Sequence, residues 1–179
     1  MREDIASILL SEEQIHTRVR ELGAEISRDY AGKEPLFVGV LKGCFIFMAD
    51  LFREVTIHGS VDFMAVSSYG NSTSTTGAVK INKDLSQDIE NRDVIIVEDI
   101  LDSGITLSYL TKYLQNRKPS SICIATLLDK PARRRADVQA KYVGFTVPDA
   151  FVVGYGLDYA EKYRNLPFIG VLKPEVYEK

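Results

Sequence analysis

The stretch that decides the fold is Val94–Thr106, VIIVEDILDSGIT. Its first four residues are β-branched and apolar, the composition of a buried strand. That strand runs straight into Glu98 and Asp99 and then Asp102. Crowded carboxylates raise one another's energy unless a cation or a rich donor set lies nearby, so a chain that only had to leave a sheet would use Gly, Asn or Pro here. The donors follow at once. Ser103, Gly104, Ile105 and Thr106 lead into a helix with the apolar stripe Leu107, Leu110 and Leu114. Backbone N–H groups and two hydroxyls at a helix N-terminus make an anion site, and a phosphate is its natural occupant. Gly104 allows the tight turn and a close approach of the backbone. Glu98 and Asp99, one turn upstream, suit a vicinal diol or a magnesium ion held through water. A phosphorylated ribose with magnesium satisfies both halves. The GxxxxGK[ST] and GxGxxG patterns are missing, which sets aside a P-loop and a dinucleotide fingerprint.

Outward from this stretch, strands alternate with helices. Ser11 with Glu13 and Gln14 marks a helix start, and Ile15, Val19, Leu22 and Ile26 recur at helical spacing until Gly32 stops the run. Strands are predicted over Leu36–Leu41, Val61–Ser67, Val94–Val97, Ile122–Leu128 and Ala150–Val153, with helices over Phe45–Val55 and from Leu107 to about Arg117. Tyr69–Thr76, YGNSTSTT, has almost nothing apolar to bury and reads as a mobile loop. The alternation predicts an α/β fold, a mostly parallel sheet covered by helices on both faces, with ligands collecting beyond the carboxyl ends of the strands.

Composition narrows the function classes. The 179 residues, 45% of them hydrophobic, support one sizeable core. With 22 Lys and Arg against 25 Asp and Glu the net charge is −3, which argues against a nucleic-acid or anionic-membrane binder. Cys44 and Cys123 sit in apolar runs without CxxC or metal-ligand spacing and read as reduced core residues. The N-terminal MREDIASILL lacks a long apolar stretch, and the expectation is a soluble cytoplasmic protein.

An apolar tetrad, Glu-Asp, two apolar residues and Asp-Ser-Gly-x-Thr together resemble the phosphoribosyl-pyrophosphate motif of the type I phosphoribosyltransferases. Asp102 makes the chain similar to their 6-oxopurine branch, the hypoxanthine-guanine phosphoribosyltransferases. Leu41-Lys42-Gly43, Ser68-Tyr69, Leu127–Lys130 and Pro148–Tyr159 through Arg164 follow in the family's order, so the resemblance spans nearly the whole chain. It implies a reversible exchange in which hypoxanthine or guanine displaces pyrophosphate from C1 of the magnesium-bound sugar, giving IMP or GMP through an oxocarbenium-like transition state.

The resemblance also assigns roles. Asp102 would serve N7 of the base as proton acceptor or electrostatic stabiliser. Glu98 and Asp99 would hold the ribose hydroxyls and water, and Ser103–Thr106 the 5′-phosphate. Leu41, Lys42 and Gly43 would form the pyrophosphate loop with a cis Leu41–Lys42 peptide; Cys44 departs from the family's loop, which more often has Gly, Ala or Ser there, and adds an oxidisable thiol. Lys130 would donate to O6, which favours a 6-oxo over a 6-amino purine. Phe151 would stack on the ring, and the Val152 backbone would meet its pyrimidine edge. Asp158, beside the base, would ligate a second magnesium on the pyrophosphate, and Arg164 would neutralise pyrophosphate oxygens. The metal set is then Glu98, Asp99 and Asp158. The fold would carry a small hood built from the N-terminal helix and the segment after Phe151, within one domain over 1–179, and a homodimer or homotetramer is expected.

Two other readings accompany this one. A regulator that keeps the fold without catalysis is disfavoured by Asp102, Lys42, Asp158 and Arg164 standing together, and a transferase acting on xanthine or adenine stays open. Arg133-Arg134-Arg135 reads as a solvated helix face, and His16 and His58 receive no role. Ser68–Lys83 should close over the site when both substrates are bound, Ser68 and Tyr69 packing against the pyrophosphate, because the reacting centre must be kept from water.

Overall fold

The computed structural model describes residues 1–68 and 79–178. Five parallel strands form its main sheet: β2 (Leu36–Leu41), β3 (Ser60–Ser68), β5 (Asp93–Leu101), β6 (Ser121–Asp129) and β7 (Tyr142–Thr146). An antiparallel edge strand, β4 (Val79–Lys83), pairs with β3, and the order is β4-β3-β2-β5-β6-β7. Successive residues of the central strands enter opposite cores, as a strand covered on both faces requires. Phe37, Ile95 and Val97 pack under α1 (Glu12–Asp29) and α2 (Phe45–Glu54). Val38, Val94 and Ile96 meet Leu107, Leu110 and Leu114 of α3 (Ile105–Gln115) on the other side.

Local chemistry sets the element ends. Ser11 and Gln14 form a reciprocal capping box at the start of α1: the Ser11 hydroxyl accepts from Gln14 N at 3.1 Å and Gln14 Oε1 from Ser11 N at 2.8 Å. Gly104, at φ 80°, sits immediately before α3, in the left-handed region where a Cβ is disfavoured. From β2 the chain crosses by α2 to β3 on one side, and from β5 it crosses by α3 to β6 on the other. The direction of winding therefore reverses between β2 and β5. A crevice opens at the carboxyl ends of neighbouring strands at such a reversal.

A second, three-stranded antiparallel sheet has the order β1-β9-β8, from β1 (Ile5–Leu10), β8 (Val152–Val153) and β9 (Ile169–Leu172). Its small core holds Val153, Tyr163, Leu166, Phe168 and Leu172, and α4 (Pro174–Tyr177) follows.

Four expectations change here. The last predicted strand, Ala150–Val153, shortens to β8 and belongs to the small sheet; β7 takes its place in the main sheet. The N-terminal helix, expected in the hood, packs on α2 and β7, and the element that joins the small sheet is β1, just before it. Val94–Val97 extends through Glu98 and Asp99 to Leu101, so the acidic pair lies on the strand. Val79–Lys83, expected in a closing loop, is strand β4 in register with β3, so Lys80 and Lys83 are held in the sheet. Tyr69, the loop 69–76 and the body of the closing segment lie outside the described residues.

Candidate active site

Two clefts meet at the carboxyl edge of the main sheet. The first, of about 290 Å³, is floored by Glu98, Asp99 and Asp102 and walled by Ser103, Gly104 and Thr106, with Leu41 and Gly43 opposite. The second, of about 360 Å³, is lined by Lys130, Asp149, Phe151, Val152, Asp158 and Tyr177. Ile100 and Asp102 line both. Asp102 thus stands at the junction of a cleft rich in anion donors and a cleft with an aromatic wall.

Chain geometry explains why Gly43 and Gly156 are needed. Gly43 follows a cis Leu41–Lys42 peptide at the end of β2, and a Cβ on it would lie 1.8 Å from Asp99 Oδ2. A Cβ on Gly156, whose φ is 101°, would lie 2.3 Å from Gly43 O. The Lys42–Cys44 turn is therefore wedged between the Asp99 carboxylate and the turn that follows β8, and any side chain at either glycine would force them apart.

The acidic pair is electrostatically uncomfortable without a ligand. Burial pushes the Glu98 carboxyl well above the ordinary carboxylate range, and the neighbouring Asp99 charge pushes it further. Burial raises Asp99 as well, against the contacts to Glu98 and Ile100 N that favour its charge. Glu98 Oε1 accepts from Asp99 N at 3.1 Å, and Asp99 Oδ1 accepts from Ile100 N at 2.8 Å. The Arg164 charge offsets only part of this burden on Asp99, and two carboxylates crowded in this way fit a hard metal ion reached through water, or the hydroxyls of a diol. Among the described residues no three His, Cys, Asp or Glu side chains gather into a metal cage. Asp158 lies apart from the pair, ion-paired to Arg164 at 3.1 Å.

Asp102 has a different character. Its Oδ1 is buried with no hydrogen bond among the described residues, and the nearest cation, Arg133 Nε, is 3.4 Å away and poorly aligned. A buried acceptor without a donor is costly until a ligand supplies an N–H. In the second cleft Lys130 is 5% exposed, and its ammonium donates to Ala150 O at 2.9 Å with Asp149 Oδ1 at 3.9 Å. Phe151 is 38% exposed. Tyr177 stacks on it at 4.6 Å between centroids, and Tyr159 meets it edge-on at 5.6 Å. Val152 is buried and pairs with Val171.

Lys42 and Arg164 come together through a residue that the sequence did not single out. Glu161 Oε2 lies 3.1 Å from Lys42 Nζ, and Glu161 Oε1 lies 3.2 Å from Arg164 Nη2. The arginine run also departs from expectation. Pro131–Arg133 is a single 3-10 turn, so the three side chains fan apart. Arg133 faces Asp102 and Asp149. Arg134 pairs with Asp129 and donates to Asp102 O and Val138 O, while Arg135 N and Ala136 N both donate to Ser103 O. The run is a buttress behind the Ser103–Thr106 turn, and the signal for it was its place just past the carboxyl end of β6.

Cys44 is fully buried, and burial followed by the charges of Glu98 and Asp99 drives its thiol well above the usual range. Its burial agrees with its reading as a core residue, and a thiol so shielded and so disfavoured as thiolate is a poor target for oxidation. Cys123 Sγ lies 3.2 Å from the Tyr30 hydroxyl, and both cysteines are free. Ser68 ends β3, facing Val79 across the edge pair.

Against known proteins, a family model described as "Phosphoribosyl transferase domain" matches residues 6–160. The hypoxanthine-guanine phosphoribosyltransferase of Bacillus subtilis is 60% identical over 178 residues, covering 99% of each chain. That of Staphylococcus aureus is 57% identical over 177 residues, again covering 99% of each. The crystal structure of a hypoxanthine phosphoribosyltransferase from S. aureus superposes with a TM-score of 0.97 at 56% identity, covering 100% of this chain and 97% of that one.

Proposed function

The chain belongs to the phosphoribosyltransferase family, and from that premise we propose that it moves the 5-phosphoribosyl group of phosphoribosyl pyrophosphate onto hypoxanthine or guanine, in purine salvage, giving IMP or GMP and pyrophosphate. The observation that carries this reading is the buried Asp102 Oδ1, which has no hydrogen bond among the described residues, at the meeting point of the two clefts. A sugar phosphate in the first cleft and a purine in the second would bring their reacting atoms together beside it.

In this reading the turn Ser103–Thr106 takes the 5′-phosphate on the N-terminus of α3, and Glu98 and Asp99 take the ribose hydroxyls. Leu41, Lys42 and Gly43 face the pyrophosphate with Arg164. Lys130 is already desolvated and aimed by Ala150 O. It offers a charged donor to O6 that a 6-amino purine could not accept. Phe151 supplies the stacking face, Val152 closes the edge, and Asp102 accepts the N7 proton or stabilises the charge that develops there. Magnesium would fit the crowded pair Glu98 and Asp99 through water, with Asp158 as a separate ligand, and when bound it would neutralise charge on the departing pyrophosphate. No helix among the described residues is long and apolar enough to cross a membrane; a cytoplasmic enzyme acting on small molecules, as a homodimer or homotetramer, is the corresponding expectation.

The test is nucleotide formation from hypoxanthine, guanine and xanthine in turn, with phosphoribosyl pyrophosphate and magnesium. IMP and GMP should form, and chelation should stop both reactions. No product from any base would leave the non-catalytic regulator as the better reading, and faster use of xanthine would move the assignment to that substrate.

A further inference from the structure

Glu161 lies in a tight turn that the fold shapes closely. Ala160 and Glu161 have φ of 51° and 62°, both in the left-handed region. Glu161 N donates to Asp158 Oδ2 at 2.8 Å, and Tyr159 and Lys162 bridge the turn. This geometry sets the Glu161 carboxylate between Lys42 and Arg164, at 3.1 Å and 3.2 Å. The cations come from distant parts of the chain, one from the turn after β2 and the other from the far end of the Asp158–Arg164 turn. Arg164 is anchored by Gly156 O at 2.7 Å and Asp158 Oδ1 at 3.1 Å, yet its buried Nε has no acceptor among the described residues. The guanidinium still has capacity for an anion.

We propose that the Glu161 carboxylate is an internal stand-in for the pyrophosphate group, bridging Lys42 and Arg164 in the empty site and yielding both to a pyrophosphate-bearing ligand. The inference rests on the reading above that Lys42 and Arg164 face pyrophosphate. Chemistry favours an exchange of this kind. One carboxylate with two oxygens gives each cation a single contact, whereas a diphosphate offers several oxygens and more charge. Glu161 and Lys42 are 65% and 67% exposed, so the bridge is weak enough to open. It nevertheless holds two long basic side chains in place and lowers the net positive charge of the empty site. As pyrophosphate leaves, the carboxylate can retake the cations, which speeds release. Glu161 is accordingly a positioning residue that sets the affinity for pyrophosphate-bearing ligands.

The experiment is calorimetric titration of magnesium pyrophosphate into the full-length protein, with steady-state kinetics in the forward direction. Removing one competitor from two ion pairs, one exposed on both sides and one with a half-buried arginine, should tighten pyrophosphate binding by about three- to tenfold in Glu161→Gln. KM for phosphoribosyl pyrophosphate should fall with it, and kcat should fall too where release limits turnover. Glu161→Asp, which keeps the charge, should lie nearer the unaltered protein. Unchanged or weaker binding in Glu161→Gln would overturn the proposal. Lys42→Ala separates this failure from failure of the premise: if it binds magnesium pyrophosphate as tightly as the unaltered protein, Lys42 does not face pyrophosphate and the proposal falls with that assignment.

Discussion

The two clefts sit side by side at one sheet edge and are built in opposite ways. The main wall and floor of the first come from one continuous run, Glu98 to Leu107, where strand β5 hands over to α3. The second is assembled from Lys130 after β6, Asp149–Phe151 leading into β8, Val152 within it, Asp158 between β8 and β9, and Tyr177 in α4. The first carries clustered charge held by backbone geometry. The second carries a buried ammonium held by Ala150 O and, beside it, Phe151 stacked on Tyr177. A reactive group set by a rigid strand-to-helix turn can be placed within a fraction of an ångström, while a recognition surface gathered from several segments can be altered piece by piece. Asp102 belongs to the first construction and faces the second.

The largest expected effect is at that junction. Asp102→Asn keeps the side chain's shape and leaves the Ser103–Thr106 turn intact, so binding of phosphoribosyl pyrophosphate should persist. Turnover should fall by about 10²- to 10⁴-fold, the usual range for losing a positioned general base. Single-turnover kinetics with saturating sugar phosphate measures this directly. A variant with near-normal turnover would mean that the junction has no chemical role and the clefts are merely adjacent.

A smaller and more selective loss is expected in the second cleft. Lys130→Ala removes a charged donor and leaves Ala150 O without its partner. For hypoxanthine and guanine, kcat/KM should fall by about 10- to 100-fold, the cost of one charge-assisted hydrogen bond. The apparent affinity for phosphoribosyl pyrophosphate should change by less than about threefold, because the lost group belongs to the other cleft. Equal losses for base and sugar phosphate would show that Lys130 supports the fold around Ala150 and that the clefts are not separable.

The same contrast explains what could be read from the sequence. The first cleft was legible because its chemistry is contiguous: an apolar tetrad, three carboxylates and a Ser-Gly-x-Thr turn imply strand, charge and helix start in one line of text. The parallel core was equally plain, since β2 matches its predicted bounds and α1 its predicted cap. Elements whose burial depends on distant partners were not legible. Strand β1 is only six residues, half of them exposed, and becomes a strand because β9 comes to lie against it from the other end of the chain. Tyr142–Thr146 has a moderately apolar pattern and becomes β7 because β6 is there to pair with it. Arg134 read as part of a solvated face and Glu161 was not singled out, and only the folded chain brings Arg134 behind Ser103 and Glu161 between Lys42 and Arg164. Resemblance to a family supplied the roles of Lys130, Phe151 and Arg164, which no local pattern would have given.

The smallest expected effect tests whether the first cleft is destabilised for the sake of binding. Burial holds the Glu98 carboxyl protonated to a higher pH than its unfolded value near 4.5. Between those two values the folded protein binds more protons than the unfolded chain, so stability falls as pH rises through the window. The contribution is fully present below the unfolded value and is lost as pH passes the folded one. Glu98→Gln cannot ionise and also relieves Asp99 of a like-charged neighbour. At pH 8 it should therefore melt above the unaltered protein, by about 2–4 °C for each kcal/mol removed in a protein of this size. The gap should close near pH 4, where both carry a neutral side chain. The gain should come with weaker binding of phosphoribosyl pyrophosphate, the usual exchange at a site shaped for a ligand. Asp149→Asn in the second cleft is the control, because that carboxylate is 56% exposed and its pairs with Lys130 and Arg133 are loose. Its melting temperature should stay within the change expected of a surface substitution, about 0.5 kcal/mol at any pH. If scanning calorimetry found Glu98→Gln no more stable at pH 8 than at pH 4 relative to the unaltered protein, the acidic pair would not be under electrostatic stress, and the two clefts would differ in layout alone.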